Sequence, residues 1–161
     1  MFVSEVARTS MKNPFQLDSG LYLEDSNLLL PWTGDRGFFA KSSDYWQNRN
    51  GATLFAWNNR VFFNGLNGNI YATIDDECEK GNPNFNLGVT FKANSLKSIK
   101  MLYEKTQELL VERFGTPEFQ NTNDDSATTK WFLNSITINH EYWDGFGGDH
   151  YISVSCKQFV K

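Results

Sequence analysis

Phe85, Leu87, Val89 and Phe91 alternate without a break with Asn86, Gly88, Thr90 and Lys92. A period of two belongs to a strand with one face buried and the other wet. Upstream, Asn50-Gly51, Asn64-Gly65 and Asn67-Gly68 crowd three Asn-Gly pairs into one short region. Both residue types tolerate the positive φ that two-residue hairpin turns require. Strands Thr53–Trp57, Arg60–Phe63 and Asn69–Ile74 are therefore expected, with turns at Asn58-Asn59 and at Gly65-Leu66-Asn67-Gly68. Strands joined by tight turns pair antiparallel, so this part of the chain reads as a meander.

Further strands are expected on either side. Leu21–Glu24 and Leu28–Leu30 flank the turn Asp25-Ser26-Asn27, and Pro31-Trp32 closes that unit. Thr33–Trp46 carries no decisive pattern, and a short helix and an irregular connection both fit it. Downstream, Thr129–Leu133, Ser135–Trp143 and Tyr151–Lys157 read as strands, preceded by a polar loop over Gln120–Ala127. Between the meanders, Leu96, Ile99, Tyr103, Leu110 and Phe114 recur at helical steps, with Leu102 and Leu109 widening the stripe. Asn94 or Ser95 supplies an N-cap oxygen, Gly115 suits a left-handed C-cap, and Pro117 prevents resumption. The expectation is a single α+β domain over 1–161, mostly antiparallel sheet, with one long amphipathic helix (about Ser95–Phe114) on one face. Residues 1–19, with a short helix at Ser4–Met11 and a break at Asn13-Pro14, read as an N-terminal arm. The two meanders that flank the helix allow a reading as loosely related halves.

A chain of 161 residues buries enough surface to need neither disulfide nor metal for stability. Its net charge is −4 with dispersed basic residues, so no phosphate-neutralising footprint exists and nucleic acid is not an expected partner. The same charge disfavours an anionic membrane surface. No apolar run approaches the roughly 20 residues that span a bilayer, and Met1–Arg8 lacks the core of a signal peptide, so a cytoplasmic protein is expected. Cys156 reads as a small buried hydrophobe, whereas Cys78 lies among acids that raise a thiol pKa.

The densest group of chemistry-bearing side chains is His140-Glu141-Tyr142-Trp143-Asp144-Gly145-Phe146-Gly147-Gly148-Asp149-His150. Pairing of its flanking strands would bring His140 and His150 together, but strand alternation sends Glu141 to the other face, short of a zinc ligand set. The Asp144–Asp149 loop lacks the spacing of an EF-hand. His140 with Cys156 or Ser155 is a conceivable base–nucleophile pair, without an elbow or oxyanion signature to support it. No phosphate-binding loop is present, and Gly145-x-Gly147-Gly148 precedes a strand rather than a helix. No catalytic residue, metal site or cofactor is assigned. Loop acids and exposed rings instead point to partner binding by Trp143, Asp144, Phe146, Asp149, His150, Asp75, Asp76 and Glu77. A ligand- or carbohydrate-binding aromatic sheet face, built from some of the five tryptophans, is the alternative.

Leu28-Leu29-Leu30-Pro31-Trp32, the helix ending Phe114-Gly115-Thr116-Pro117, Trp131, and Ile138–Gly147 together resemble small uncharacterised bacterial α+β proteins. Some of these are found beside polymorphic-toxin systems and are regarded as immunity proteins. The resemblance spans about Leu21 to the C-terminus and transfers no catalytic residue. It implies an interaction protein, of the kind that blocks a basic toxin, and acidic inhibitors gain association rate from such complementarity.

Overall fold

The computed structural model describes residues 17–76, 83–91, 98–144 and 149–157. The hairpin β1 (Gly20–Leu23) and β2 (Leu28–Pro31) comes first, followed by helix α1 (Arg36–Ser42). Strands β3 (Tyr45–Arg49), β4 (Ala52–Phe62), β5 (Leu66–Asp75) and β6 (Asn84–Val89) form the first meander. Helix α2 (Ile99–Phe114) precedes the second, made of β7 (Phe119–Thr122), β8 (Ser126–Leu133), β9 (Ile136–Trp143) and β10 (Asp149–Cys156). The meanders join into one eight-stranded antiparallel sheet of order β3-β4-β5-β6-β10-β9-β8-β7. Their last strands meet at the centre, where Ser153 faces Asn86 and Val154 faces Phe85. Each half is thus a helix followed by a four-stranded meander.

The α+β class and the mostly antiparallel sheet match the sequence expectation, and the described residues hold two helices, the longer of them the 16-residue α2 in place of one long helix over about Ser95–Phe114. In the undecided stretch, the side chain of Asp35 accepts from the Phe38 N–H and starts α1. Phe39 of α1 is fully buried against Phe55, Trp57 and Phe85, at ring-centroid distances of 5.7, 5.9 and 6.3 Å. Helix α2 begins at Ile99, capped by Ser98; residues 92–97, which hold the expected caps Asn94 and Ser95, lie outside the described residues. Its buried side is Tyr103, Thr106, Leu110 and Phe114, while Met101 and Val111 are exposed. Gly115 ends it at φ 81°, its N–H donating to the Val111 carbonyl.

Two expected turns are displaced. Asn58-Asn59 is a bulge inside one continuous strand, between the pairs Trp57–Ile70 and Arg60–Gly68. Asn59 takes φ 53° and its N–H donates to Asn69 Oδ1, so the extra residue is held rather than turned. The chain reverses instead at Phe63-Asn64-Gly65, all with positive φ, and Asn67-Gly68 belongs to β5. Asn50-Gly51 is the β3–β4 turn, as expected, at φ 46° and 84°. The expected arm is anchored at its end: Leu17 is buried and its carbonyl accepts from Trp32 Nε1 at 2.6 Å. Residues 1–16, including the expected helix Ser4–Met11, lie outside the described residues.

The hairpin and both helices pack on one face of the sheet. Trp32 meets Phe85, Phe39 meets Phe55, and Phe114 lies against Trp131 and Phe63. Arg113 binds the far end of α2 to the β4–β5 turn, donating to the carbonyls of Phe63 and Asn64. No described helix is long and apolar enough to cross a membrane.

Candidate functional site

The core changes character under the first half of α2. Aliphatic and Phe packing gives way to a separate cluster of Tyr103, Ala127 and Tyr142. Alternation along β9 puts Ile138, His140 and Tyr142 on the buried face, and Tyr103 descends from α2 to stack on the His140 ring at 4.2 Å between centroids, 15° from parallel. The Tyr103 hydroxyl is hydrogen-bonded to Thr129 Oγ1 at 2.6 Å, and Thr129 pairs with His140 across β8 and β9. Burial raises the Tyr103 pKa, so the ring is a neutral phenol.

His150 reaches the same place from β10. Its Nε2 lies 2.7 Å from Nε2 of His140, whose Nδ1 lies 2.6 Å from Gln107 Oε1. An amide oxygen only accepts, so with Gln107 oriented this way Nδ1 of His140 carries the proton. Its Nε2 then accepts from His150 Nε2–H. Burial, with the neighbouring His150, lowers His140 to about 2. Burial also lowers His150 to about 4, against the raising effect of Asp149. Both rings are neutral at pH 7. At 2.7 Å the two nitrogens share a proton rather than a metal, since ligands of one tetrahedral zinc stand about 3.3 Å apart. Among the described residues no group of three or more His, Cys, Asp or Glu gathers. Cys156 pairs with Ile136, and Ser155 points to the opposite face, so neither reaches His140.

Beside this network α2 stands off from the edge of the sheet and leaves a groove of about 360 Å³. Lys100, Tyr103, Glu104, Gln107 and Glu108 line it from the helix, and Gln120, Thr122, Ala127 and Tyr142 from the sheet. Its floor is one register row, Thr122–Ala127–Tyr142. The small side chain of Ala127 at the centre of that row gives the groove its depth. Sequence reasoning pointed to the two histidines but not to Tyr103, Gln107 or the groove.

The other expected contact residues divide. Trp143 is 52% exposed at the end of β9, opposite Asp149 and Ser126. The Asp144 N–H donates to the Asp125 carbonyl, which joins two acidic loops at this end of the sheet. His150, expected at a contact surface, is turned inward onto His140. Asp75 and Asp76 hold α1 to the sheet, through Arg36 Nη2 to the Asp75 carbonyl at 2.7 Å and to the Asp76 carboxylate at 3.3 Å. The register sets Asp75 and Trp143 three strands apart and at opposite strand ends, roughly 30 Å. They do not form one patch. Phe146 and Glu77, with Cys78, lie outside the described residues.

On the face away from the helices one row crosses the whole sheet: Tyr45, Ala56, Tyr71, Asn86, Ser153, Asn139, Lys130 and Phe119, each paired with the next. Neighbouring positions on this face are Thr73, Gly88, Tyr151, Glu141, Thr128, Thr137 and Phe132. Tyr151 donates to Glu141, which pushes its own pKa up to about 12, with burial adding to the effect. On this face Tyr45, Tyr71, Phe119 and Phe132 are exposed, whereas Ala56 is buried between the two tyrosines. Of the five tryptophans, Trp32, Trp57 and Trp131 are buried, while Trp46 at 49% and Trp143 at 52% are exposed.

No protein-family model, curated protein or solved structure matches this chain.

Proposed function

We propose that this chain is a non-enzymatic interaction protein of the bacterial cytosol. It binds a protein partner across the open face of its sheet, as an immunity-type inhibitor binds its toxin. The observation that carries this reading is the outward row from Tyr45 to Phe119. Tyrosines supply wide, rigid, amphipathic contact at little entropic cost, and Ser, Asn, Gly and Thr supply adaptable hydrogen bonds. That mixture composes binding surfaces of antibodies, and here it is laid on a rigid scaffold. Eight strands span roughly 34 Å, ample for the ~800 Å² a standard interface takes from each partner. The net charge of −4 favours a basic partner, steered in at low salt.

The test is comparative capture. Tagged wild type, Tyr71→Arg and Ser153→Arg are used to recover partners from lysate, and the recovered partner is then titrated against each at 50 and 500 mM salt. The expected result is one stoichiometric partner that associates more slowly at high salt and is lost from both open-face variants. A partner retained equally by both arginine variants refutes this face as the docking surface. Salt-independent association refutes the basic partner.

A further inference from the structure

On the opposite side of the sheet, the groove between α2 and β7 has a chemistry of its own. Tyr103 and Tyr142 are 6% and 3% exposed and both line it. Each is pinned at its far end, Tyr103 through Thr129 and Tyr142 by donation to the Asp124 carbonyl. Their rings, 5.0 Å apart and tilted by 42°, form a fixed aromatic wall, one face of Tyr103 being taken by the His140 ring. Electron-rich ring faces attract cations, and a planar guanidinium also stacks on them. Glu104 and Glu108 stand one turn apart on the helix side, and among the described residues no cation pairs with either carboxylate. Gln120 and Thr122 add neutral acceptors from β7. Among the described residues Lys100 is the one cation in the lining. Gln107, whose oxygen is held by His140, keeps its amide N–H groups for an acceptor on the ligand.

We propose that this groove binds a guanidinium- or ammonium-bearing group, its cationic head between the tyrosine wall and the Glu104 and Glu108 carboxylates. A volume of about 360 Å³ is at the small end of ligand pockets, fit for one cationic chain and not for a dinucleotide. Ala127 makes the room, because any larger side chain between Thr122 and Tyr142 would fill the floor. The same chemistry has two sources: a free small amine, or an arginine or lysine side chain offered by a bound protein. The proposal does not depend on the open-face reading, since the two surfaces lie on opposite sides of the sheet.

Calorimetric titration of the full chain with agmatine, Nα-acetyl-arginine amide and Nα-acetyl-citrulline amide tests it. Both cations are expected to bind, and the citrulline amide, the uncharged isostere of the arginine amide, is not. Agmatine binding the tighter assigns the groove to free small cations, and the arginine amide binding the tighter assigns it to a protein side chain. Glu104→Gln/Glu108→Gln changes two exposed positions and is expected to weaken the cations roughly tenfold. Ala127→Leu is expected to abolish binding, and Tyr71→Arg to leave it unchanged. The citrulline amide binding as well as the cations, unchanged affinity in the double glutamine variant, or no cation binding up to roughly 10 mM, where even a millimolar site is mostly filled, each overturns the proposal.

Discussion

Acidification acts on this fold through the two histidines held neutral under α2. His140 is lowered to about 2 and His150 to about 4, both mainly by burial. In the unfolded chain each returns to about 6.5, so below that pH the unfolded state binds protons that the folded state refuses. The stability these groups contribute is therefore full above pH 6.5 and falls as pH drops toward their folded values. At pH 5.0 each costs about 2 kcal/mol relative to pH 7.5, or about 4 kcal/mol together. With both protons refused, the slope approaches about 2.7 kcal/mol per pH unit. Against a total of about 5–15 kcal/mol for a domain, that is a large fraction. Urea unfolding at pH 7.5, 6.5, 5.5 and 5.0, followed by tryptophan fluorescence, measures it. His150→Phe should leave His140 alone to titrate and halve the loss to about 2 kcal/mol. A wild-type loss below about 1 kcal/mol, or an equal loss in wild type and His150→Phe, would refute the neutral pair.

Other substitutions probe single features. Phe39→Ala opens a cavity among Phe55, Trp57 and Phe85 and should cost about 3–5 kcal/mol in urea unfolding. Gly68→Ala puts a Cβ 2.0 Å from the Gly88 carbonyl oxygen, a backbone atom that cannot swing away, and should lower Tm by several degrees, about 2 kcal/mol or more. Thr129→Val leaves the buried Tyr103 hydroxyl without its partner and should cost about 1–3 kcal/mol, with Thr129→Ser restoring most of it.

What could be read in advance followed periodicity. β6, β8, β9 and β10 each bury alternate residues, and their expected spans lie close to the observed ones. β3 and β7 escaped because they are edge strands: Tyr45-Trp46-Gln47-Asn48-Arg49 and Phe119-Gln120-Asn121-Thr122 are exposed almost throughout. An edge strand has less to bury and so carries no alternation to detect. α1 is seven residues long, too short to repeat a helical stripe, and Phe39 is its one buried residue. The approach of His140 to His150 was foreseeable from hairpin pairing, and the geometry has it. Gln107 and Tyr103 were not, since each lies more than thirty residues before His140 and only the docking of α2 brings them there.

The contrast between the halves explains why the unusual chemistry gathers in the second. In the first, α1 puts a single Phe39 onto a wall of rings, and the β1–β2 hairpin helps cover that face, with Trp32 against Phe85. The second half has α2 over β9 and β10, and its C-terminal turns are fixed by Phe114 against Trp131 and by Arg113 on the β4–β5 turn. Apolar burial is concentrated at that end. The N-terminal turns pack through Tyr103 on His140, Thr129 and Tyr142, side chains whose buried polar atoms need partners. Satisfying those atoms fixes ring and amide orientations more narrowly than aliphatic packing does. A stability core made only of leucine and phenylalanine would have closed the sheet without Tyr103, Gln107 and His140, and it would have left no oriented wall beside the groove. The polar cluster is therefore better explained by the groove it orients than by the stability it contributes, because its histidines make the fold weaker in acid.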